Sequence, residues 1–111
     1  MQRERGQTEY ERRVLDTVAK IPAGRVMTYG DVAEFMSEGG PRAVGAVMRK
    51  HGNEVHWERV VMADGRPSPS CTDLACELLV DVGTPMTPDG RRVDLAAARW
   101  DGRPVRTASR R

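Results

Sequence analysis

Apolar residues recur at helical spacing in the first part of the chain, and polar residues separate them. Thr8 stands just before this pattern, and Glu11 follows Thr8 by three residues, as in a capping box. Pro22 and Gly24 are helix-ending residues and follow the pattern closely. The sequence therefore predicts an amphipathic helix that begins after Thr8. The positions predicted to be buried are Val14, Leu15, Val18 and Ile21.

Two shorter helices are predicted next, after an extended link over residues 25–28. Thr28 and Asp31 repeat the capping-box spacing, so a second helix should run from Tyr29 to about Ser37. It should bury Val32, Ala33 and either Phe35 or Met36. After a turn at residues 38–40, Pro41 is suited to the first position of a third helix, which should reach about Lys50 and end at Gly52. Two short helices joined by a glycine turn indicate a helix-turn-helix, although a helical hairpin in an ordinary core fits the pattern as well.

The second half of the chain predicts a strand followed by a fourth helix. Residues 56–62 read as a strand that ends in a turn at residues 63–65. Ser70 is placed to cap a helix over residues 71–82, which should bury Leu74, Leu78 and Leu79. Residues 84–90 form a loop that contains prolines, structure resumes at residues 92–95, and Trp100 is a late apolar anchor.

Length and composition suit one folded domain. The chain has 111 residues, of which 39% are hydrophobic, and no apolar run is long enough to span a membrane. We expect a flexible N-terminus over residues 1–7, one folded domain over 8–101 and a basic, disordered tail over 102–111. The first residues lack the apolar segment of a secretory signal, so we expect a cytoplasmic protein with no membrane partner.

Positive charge is unevenly distributed, although the net charge is only +2. Residues 42–51 hold Arg42, Arg49 and Lys50 without an acid, and residues 99–111 hold five arginines against Asp101. Such clusters suit a polyanion, although any charged surface also has them.

The two cysteines, Cys71 and Cys76, have poor spacing for zinc and for a disulfide on one helix face. We expect no metal and no cofactor, and we assign both thiols to packing.

Three short motifs resemble the DNA-binding domain of O6-alkylguanine-DNA alkyltransferases. They are IPAGRVMTYGDVA, RAVGAVMR and HWERVV, in that order, and the final RVDLAAARW is also similar to the family. The resemblance implies a mostly helical α/β fold, a single winged helix-turn-helix domain of the alkyltransferase C-terminal type. Trp57 stands where those enzymes have their reactive cysteine. In this respect the chain resembles the alkyltransferase-like proteins, which bind such lesions without transferring the alkyl group.

The chemistry at positions 57 and 58 agrees with that resemblance. Dealkylation needs a thiolate activated by a neighbouring base. The indole of Trp57 cannot take up an alkyl group in this way, and Glu58 stands where the family's proton-relaying histidine would be. A flat indole can pack against an extruded base. Without the neighbouring motifs, Trp57 would read as an ordinary core tryptophan.

The resemblance also assigns DNA contacts. Arg42 becomes the finger that fills the gap left by a flipped nucleotide, and Tyr29 presses on a phosphate beside the lesion. The small residues Ala43 and Gly45 let the third helix enter the minor groove, with Arg49 further along it. Thr28 fits either a phosphate contact or capping alone, and Gly45 fits close helix packing equally well.

Three further residues complete the predicted lesion pocket around Trp57. Asn53 corresponds to the family's hinge asparagine, Arg59 braces the site, and Ser70 lies in the loop that walls the pocket. Some alkyltransferase-like proteins have an arginine at the Ser70 position, and His56 replaces the family's usual proline.

The function predicted from the sequence is recognition of O6-alkylguanine in double-stranded DNA without alkyl transfer. The resemblance further implies that the protein is a monomer that signals to nucleotide excision repair proteins. Two alternatives remain open at this point. An alkyltransferase could use Cys71 or Cys76, and a winged helix-turn-helix regulator would read a specific sequence in the major groove.

Overall fold

The computed structural model describes residues 7–104, except for the side chain of Ser70. Residues 1–6 and 105–111, which include most of the predicted tail, lie outside the described part. The helices are α1 Glu9–Ala19, α2 Tyr29–Met36, α3 Pro41–His51, α4 Thr72–Asp81 and α5 Leu95–Ala98. The strands are β1 Met27–Thr28 and β2 Val60–Val61, and short 3₁₀ turns span Gly52–Glu54, Trp57–Arg59 and Pro69–Cys71.

Both predicted capping boxes are confirmed. At the start of α1, the Thr8 hydroxyl accepts from the Glu11 amide at 3.0 Å, and the Glu11 carboxylate accepts from the Thr8 amide at 2.9 Å. At the start of α2, Thr28 and Asp31 make the same reciprocal pair, both at 3.0 Å. Each box satisfies amide groups that have no partner within the helix, so local sequence sets where both helices begin.

The first three helices pack together around one apolar core. The helix-turn-helix prediction is confirmed, because α2 and α3 are joined by a turn and contact each other. Met36 points into the core, whereas Phe35 is 41% exposed, which decides between the two candidates on α2. Trp100 is 6% exposed and belongs to this core, so the predicted late anchor is also confirmed.

The strand predicted over residues 56–62 is mostly wrong. Only Val60 and Val61 form a strand, parallel to β1, with Met27 opposite Val60 and Thr28 opposite Val61. Thr28 is also the cap of α2, so β1 ends there and offers β2 no further partner. Residues 57–59 instead form a 3₁₀ turn, with the Arg59 amide donating to the His56 carbonyl at 3.0 Å.

Helix α4 differs from its prediction in its start and its buried face. Cys71 occupies the capping position without a side-chain hydrogen bond, so the predicted cap at Ser70 is wrong. The 3₁₀ turn over Pro69–Cys71 delays the helix by one residue. Ala75 and Leu79 are buried, whereas Leu74 is 43% exposed, because α4 turns only this narrow face toward the second apolar cluster. That cluster consists of Val26, Val61, Leu79, Val93 and Ala98.

Both cysteines are free thiols, but the packing prediction is wrong for Cys71, which is exposed. Cys76 is partly buried. Within residues 7–104, no group of three or more His, Cys, Asp or Glu side chains is arranged to hold a metal ion. In the same range, no helix combines the length and apolar character needed to cross a bilayer.

Candidate functional site

An open cleft of about 720 Å³ lies between the start of α2, one face of α3 and the segments that follow it. Its volume is within the range of about 300–1,000 Å³ typical of sites for small molecules, so a purine base with an alkyl group is of suitable size. The described lining residues are Thr28, Tyr29, Gly30, Pro41, Arg42, Gly45, Met48, Arg49, Gly52, Asn53, Trp57, Met62, Ala63, Ser68, Pro69 and Cys71.

Helix α3 contributes one regular face to the cleft. Arg42, Gly45, Arg49 and Gly52 are three or four residues apart, so they follow one side of the helix and its C-terminal cap. Arg42 and Arg49 are exposed, and Gly45 stands between them. A Cβ atom added at Gly45 would meet nothing within 4 Å. Close packing against the described residues therefore does not require this glycine, and this side of α3 is open to an approaching ligand.

Trp57 forms the wall of the cleft at the end of α3. A Cβ atom at Gly52 would lie 3.4 Å from the Cβ of Trp57, which is an ordinary contact distance, so the indole-bearing turn lies next to the C-terminal cap of α3. Trp57 is partly exposed and belongs to neither apolar core cluster. The interpretation as an ordinary core tryptophan is therefore wrong, because part of this side chain faces the open cleft.

The start of α2 closes the opposite side. Thr28 is buried, and its hydroxyl accepts a hydrogen bond from the Asp31 amide. Capping therefore accounts for the Thr28 hydroxyl, although Thr28 also lines the cleft. Tyr29 is partly buried and lines the cleft beside it. Arg99 donates two hydrogen bonds to Asp31, at 2.7 and 2.9 Å, and so ties the C-terminal segment to this helix start.

The charge state of Asp31 follows from these contacts. Burial raises the pKa of Asp31, but the hydrogen bonds from Arg99 and Thr28 outweigh it and hold the pKa below its ordinary value. The carboxylate is thus charged at neutral pH and keeps the geometry of the α2 start fixed.

Arg59 and Glu58 lie behind the cleft and do not line it. The Arg59 guanidinium donates to the Ile21 carbonyl at 2.9 Å, which links the Trp57 turn to the loop after α1. Glu58 is buried, and one of its oxygens lies 3.2 Å from Nδ1 of His56. Arg59 therefore contacts the loop after α1 and not the lining of the cleft, and its role in bracing the site stays a prediction.

The described residues that line the cleft carry positive charge. It contains Arg42 and Arg49, and none of its described residues is an acid. Trp57, Met48 and Met62 supply apolar surface beside the two guanidinium groups. The arrangement can therefore take a flat, partly apolar group while the cations contact a neighbouring anion.

The structure brings together most of the residues that the sequence singled out. Ala43 is partly buried on α3 and, like Arg59, does not contribute to the lining, while the side chain of Ser70 lies outside the described part. The sequence argument missed nine of the residues that line the cleft, among them Met48, Met62, Ser68 and Cys71. Helical spacing from Gly45 could have identified Met48, but the other three come from loops and carry no comparable signal.

Comparisons with known proteins show which family this chain resembles. The family model described as the 6-O-methylguanine DNA methyltransferase DNA-binding domain matches residues 9–79. The chain is 37% identical over 99 residues to a DNA base-flipping protein of Escherichia coli, covering 83% of this chain and 74% of the relative. It is 39% identical over 62 residues to alkyltransferase-like protein 1 of Schizosaccharomyces pombe, covering 51% of this chain and 56% of that protein.

Solved structures agree on the fold. S. pombe Atl1, in complex with damaged DNA containing O6-carboxymethylguanine, superimposes with a TM-score of 0.70 at 28% identity, covering 83% of this chain and 94% of that one. The Mycobacterium tuberculosis O6-methylguanine methyltransferase gives a TM-score of 0.57 at 29% identity, covering 68% and 48%. The predicted fold class, mostly helical with a small sheet, is confirmed.

Proposed function

This chain belongs to the family of the 6-O-methylguanine DNA methyltransferase DNA-binding domain, as an alkyltransferase-like protein, and we propose that it recognises O6-alkylguanine in duplex DNA without removing the alkyl group. Two relatives support the proposal, one through its name and one through a solved complex with DNA. One is named a DNA base-flipping protein, and the other has been solved in complex with damaged DNA.

The observation that carries the proposal is the cleft with Trp57 as its apolar wall and two arginines on its α3 side. An extruded purine needs a flat surface to replace the stacking it loses, and the indole supplies one. The phosphate groups that flank the flipped nucleotide need a cation, and Arg49 on the same face of α3 supplies one.

In the proposed complex, α3 lies in the minor groove with its small residues toward the DNA. Arg42 enters the stack and fills the space of the flipped nucleotide, because a planar guanidinium stacks on bases and donates hydrogen bonds. Tyr29, at the start of α2, contacts a phosphate beside the lesion. A base whose pairing is already damaged is easier to extrude, so the lesion is favoured over guanine before any contact in the cleft.

Alkyl transfer is not part of the proposed function. Trp57 has no nucleophilic atom that can take the alkyl group, and no histidine is among the described lining residues. Cys71 does line the cleft, so its thiol is the group to check. Intact-mass measurement after incubation with O6-methylguanine DNA should show no methyl gain, and a stoichiometric gain on a Cys71 peptide would overturn this part of the proposal.

A protein that binds a lesion without repairing it requires other proteins to remove the damaged nucleotide. We extend the proposal to nucleotide excision repair, which removes a damaged nucleotide without needing a reactive residue in the recognition protein. This step rests on the family resemblance, and it is tested by adding purified excision-repair proteins to the complex of this protein with a lesion duplex. Faster incision than without the protein supports it, and unchanged incision contradicts it.

The central experiment is competition binding between two duplexes that differ by a single O6-methyl group. We expect the methylated duplex to compete more strongly for the wild-type protein, and Trp57→Ala to reduce that difference because the apolar wall is removed. Equal competition by both duplexes would refute lesion recognition, and strong preference for one unmodified sequence would favour a regulator that reads a specific site.

A further inference from the structure

Exposed apolar side chains are concentrated on one helix that the cleft does not use. Among the described residues, the large hydrophobic side chains that are clearly exposed are Phe35, Leu74, Val80 and Val82, and three of these four lie on α4 or at its C-terminal cap. Leu78 is also only partly buried. A surface helix normally turns such residues inward, so the outer face of α4 has more apolar surface than packing of the domain explains.

Acidic residues are ordered along the same face. Asp73, Glu77 and Asp81 are four residues apart and form one stripe along α4. All three are exposed, and none of them forms an ion pair with another described residue. Leu74, Leu78 and Val82 have the same spacing and lie beside the acids, so an apolar stripe and an acidic stripe run side by side.

The charge of this face decides what can cover it. DNA is excluded, because three carboxylates without counter-charges repel a phosphate backbone. A symmetric contact with α4 of a second copy is disfavoured for the same reason, since it would bring the acidic stripes of both copies together. The complementary surface has apolar residues at helical spacing flanked by lysines or arginines.

We propose that the outer face of α4 is a docking surface for a basic amphipathic helix of a partner protein. α4 has ten residues, so it is about 15 Å long and presents about three turns to such a helix. The apolar stripe supplies contact area, and the acidic stripe sets orientation and increases the rate of encounter.

The position of α4 makes the surface usable while DNA is bound. Cys71 lines the cleft and is followed directly by α4, but none of the residues of α4 itself lines the cleft. A partner on the outer face would therefore be held next to the DNA site without covering it.

The test uses the full-length protein labelled with ¹⁵N and a synthetic helical peptide with leucines on one face and arginines on both flanks. We expect amide shifts that are concentrated in α4. A peptide of the same composition with the leucines scrambled around the helix should bind at least about five-fold more weakly, because it cannot place both stripes at once. Shifts outside α4, no shifts, or equal binding of the scrambled peptide would overturn the proposal.

Two substitutions of exposed residues provide matched tests. Leu74→Gln removes apolar contact and Glu77→Lys reverses one charge, and each should weaken peptide binding by at least about five-fold. Phe35→Gln and Glu9→Lys make the same chemical changes elsewhere on the surface and should leave peptide binding unchanged. Unchanged peptide binding by the α4 variants would overturn the proposal. Concentration-dependent self-association of the wild type that Leu74→Gln abolishes would also overturn it, because the occupant of the face would then be a second copy of this chain.

A DNA titration of the same variants separates this inference from the proposed function. Leu74→Gln and Glu77→Lys should keep the wild-type preference for the O6-methylguanine duplex, since α4 does not line the cleft. Loss of that preference in either variant would assign the face to DNA and overturn the docking proposal. Absence of lesion preference in the wild-type protein, with the peptide shifts intact, would refute the proposed function alone.

Discussion

At the scale of single residues, the two tryptophans of the chain have opposite environments. Trp100 is almost fully buried in the three-helix core, and its indole N–H donates to the Arg103 carbonyl at 2.8 Å. Trp57 is partly exposed and lines the cleft. Burial of Trp100 stabilises the core, whereas Trp57 leaves part of its indole accessible at an open cleft, as the proposed function requires.

Gly45 gives a clear prediction at the residue scale, because none of the described residues fills the space beside it. Gly45→Leu should leave the free energy of unfolding unchanged or raise it by up to about 1 kcal/mol, since glycine is unfavourable inside a helix. The same change should weaken DNA binding at least about ten-fold, because the side chain would occupy the path of the duplex. Urea unfolding and a DNA titration measure the two effects.

The neighbouring Ala46 provides the control for Gly45. It is exposed on α3 but does not line the cleft, so Ala46→Leu should change neither stability nor DNA binding appreciably. A Gly45→Leu protein that binds DNA as tightly as wild type would show that α3 does not approach the duplex through this face.

Arg42 and Lys50 occupy opposite ends of α3 and should differ in importance. Arg42→Ala should weaken binding of lesion DNA by about 1–3 kcal/mol, because a stacked and hydrogen-bonded guanidinium is lost. Lys50 lies 3.7 Å from Glu11 and does not line the cleft, so Lys50→Ala should cost less and act mainly on the salt dependence. Equal losses in a fluorescence titration would remove Arg42 from the finger role.

At the scale of elements, the start of α2 depends on a side chain from the other end of the chain. Asp31 completes the capping box with Thr28 and accepts both hydrogen bonds from Arg99. The backbone around Arg99 also pairs with Val26, just before β1. The segment that carries Tyr29 to the cleft is therefore fixed by local capping and by a long-range contact together.

Asp31→Asn should lower the free energy of unfolding by about 1 kcal/mol at neutral pH, through a weaker cap and the loss of the partly exposed ion pair. The folded-state pKa of Asp31 is lowered, so the stability it contributes is present above its unfolded value of about 3.9 and is lost as the pH falls through the lower folded value. The difference between wild type and variant, measured by urea unfolding, should therefore shrink below about pH 4. A difference that persists at lower pH would contradict the role of the charge.

Two glycines in turns allow the cost of a left-handed backbone conformation to be measured separately from the cost of a steric clash. Gly65 has φ +90°, and an added Cβ would lie 2.5 Å from the carbonyl oxygen of Val93. Gly83 has φ +78°, and an added Cβ would meet nothing within 4 Å. Gly83→Ala should cost about 1–2 kcal/mol from the left-handed conformation alone. Gly65→Ala should cost about 1–3 kcal/mol more, because backbone must also move. Similar unfolding midpoints for both variants would show that the turn at Gly65 yields easily.

At the scale of the whole molecule, the cleft is assembled from segments that are distant in sequence. Its described lining comes from the start of α2, the length of α3, the turn that bears Trp57 and the loop that precedes α4. The sheet pairing of β1 with β2 and the bond from Arg59 to Ile21 hold these segments in place. The width of the cleft, on which the proposed lesion selectivity rests, is therefore a property of the complete fold.

The dependence of binding on alkyl size tests this assembled cleft. Affinity should rise from O6-methyl to propyl and benzyl, with up to about 0.8 kcal/mol for each additional buried CH₂ group, because the wall at Trp57 is apolar and the cleft is open. Trp57→Ala should flatten the series, as measured by competition with otherwise identical duplexes. A steady fall in affinity of the wild type with increasing alkyl size would show that the cleft is too narrow for this role of Trp57.

The sequence by itself determined the features that depend on neighbouring residues. The starts of α1 and α2 follow from the capping boxes at Thr8 and Thr28, and the start of α3 follows from Pro41, because these signals act over three or four residues. The order of the motifs also predicted the fold class, and most of the site residues inferred from the motifs do line the cleft.

Only the tertiary structure decided which residues are paired, buried or exposed at positions where the local sequence pattern allows more than one outcome. The strand at Val60 is short because β1 must end where α2 begins, and no local pattern contains that limit. The exposure of Leu74 depends on how α4 meets the second core cluster, and Cys71 reaches the cleft through a loop. Gly45 fits packing or ligand approach equally well in the sequence, and the open space beside it in the folded chain argues against close packing with a described residue. No local pattern contains that information, because burial is a property of the residues that surround a position in space.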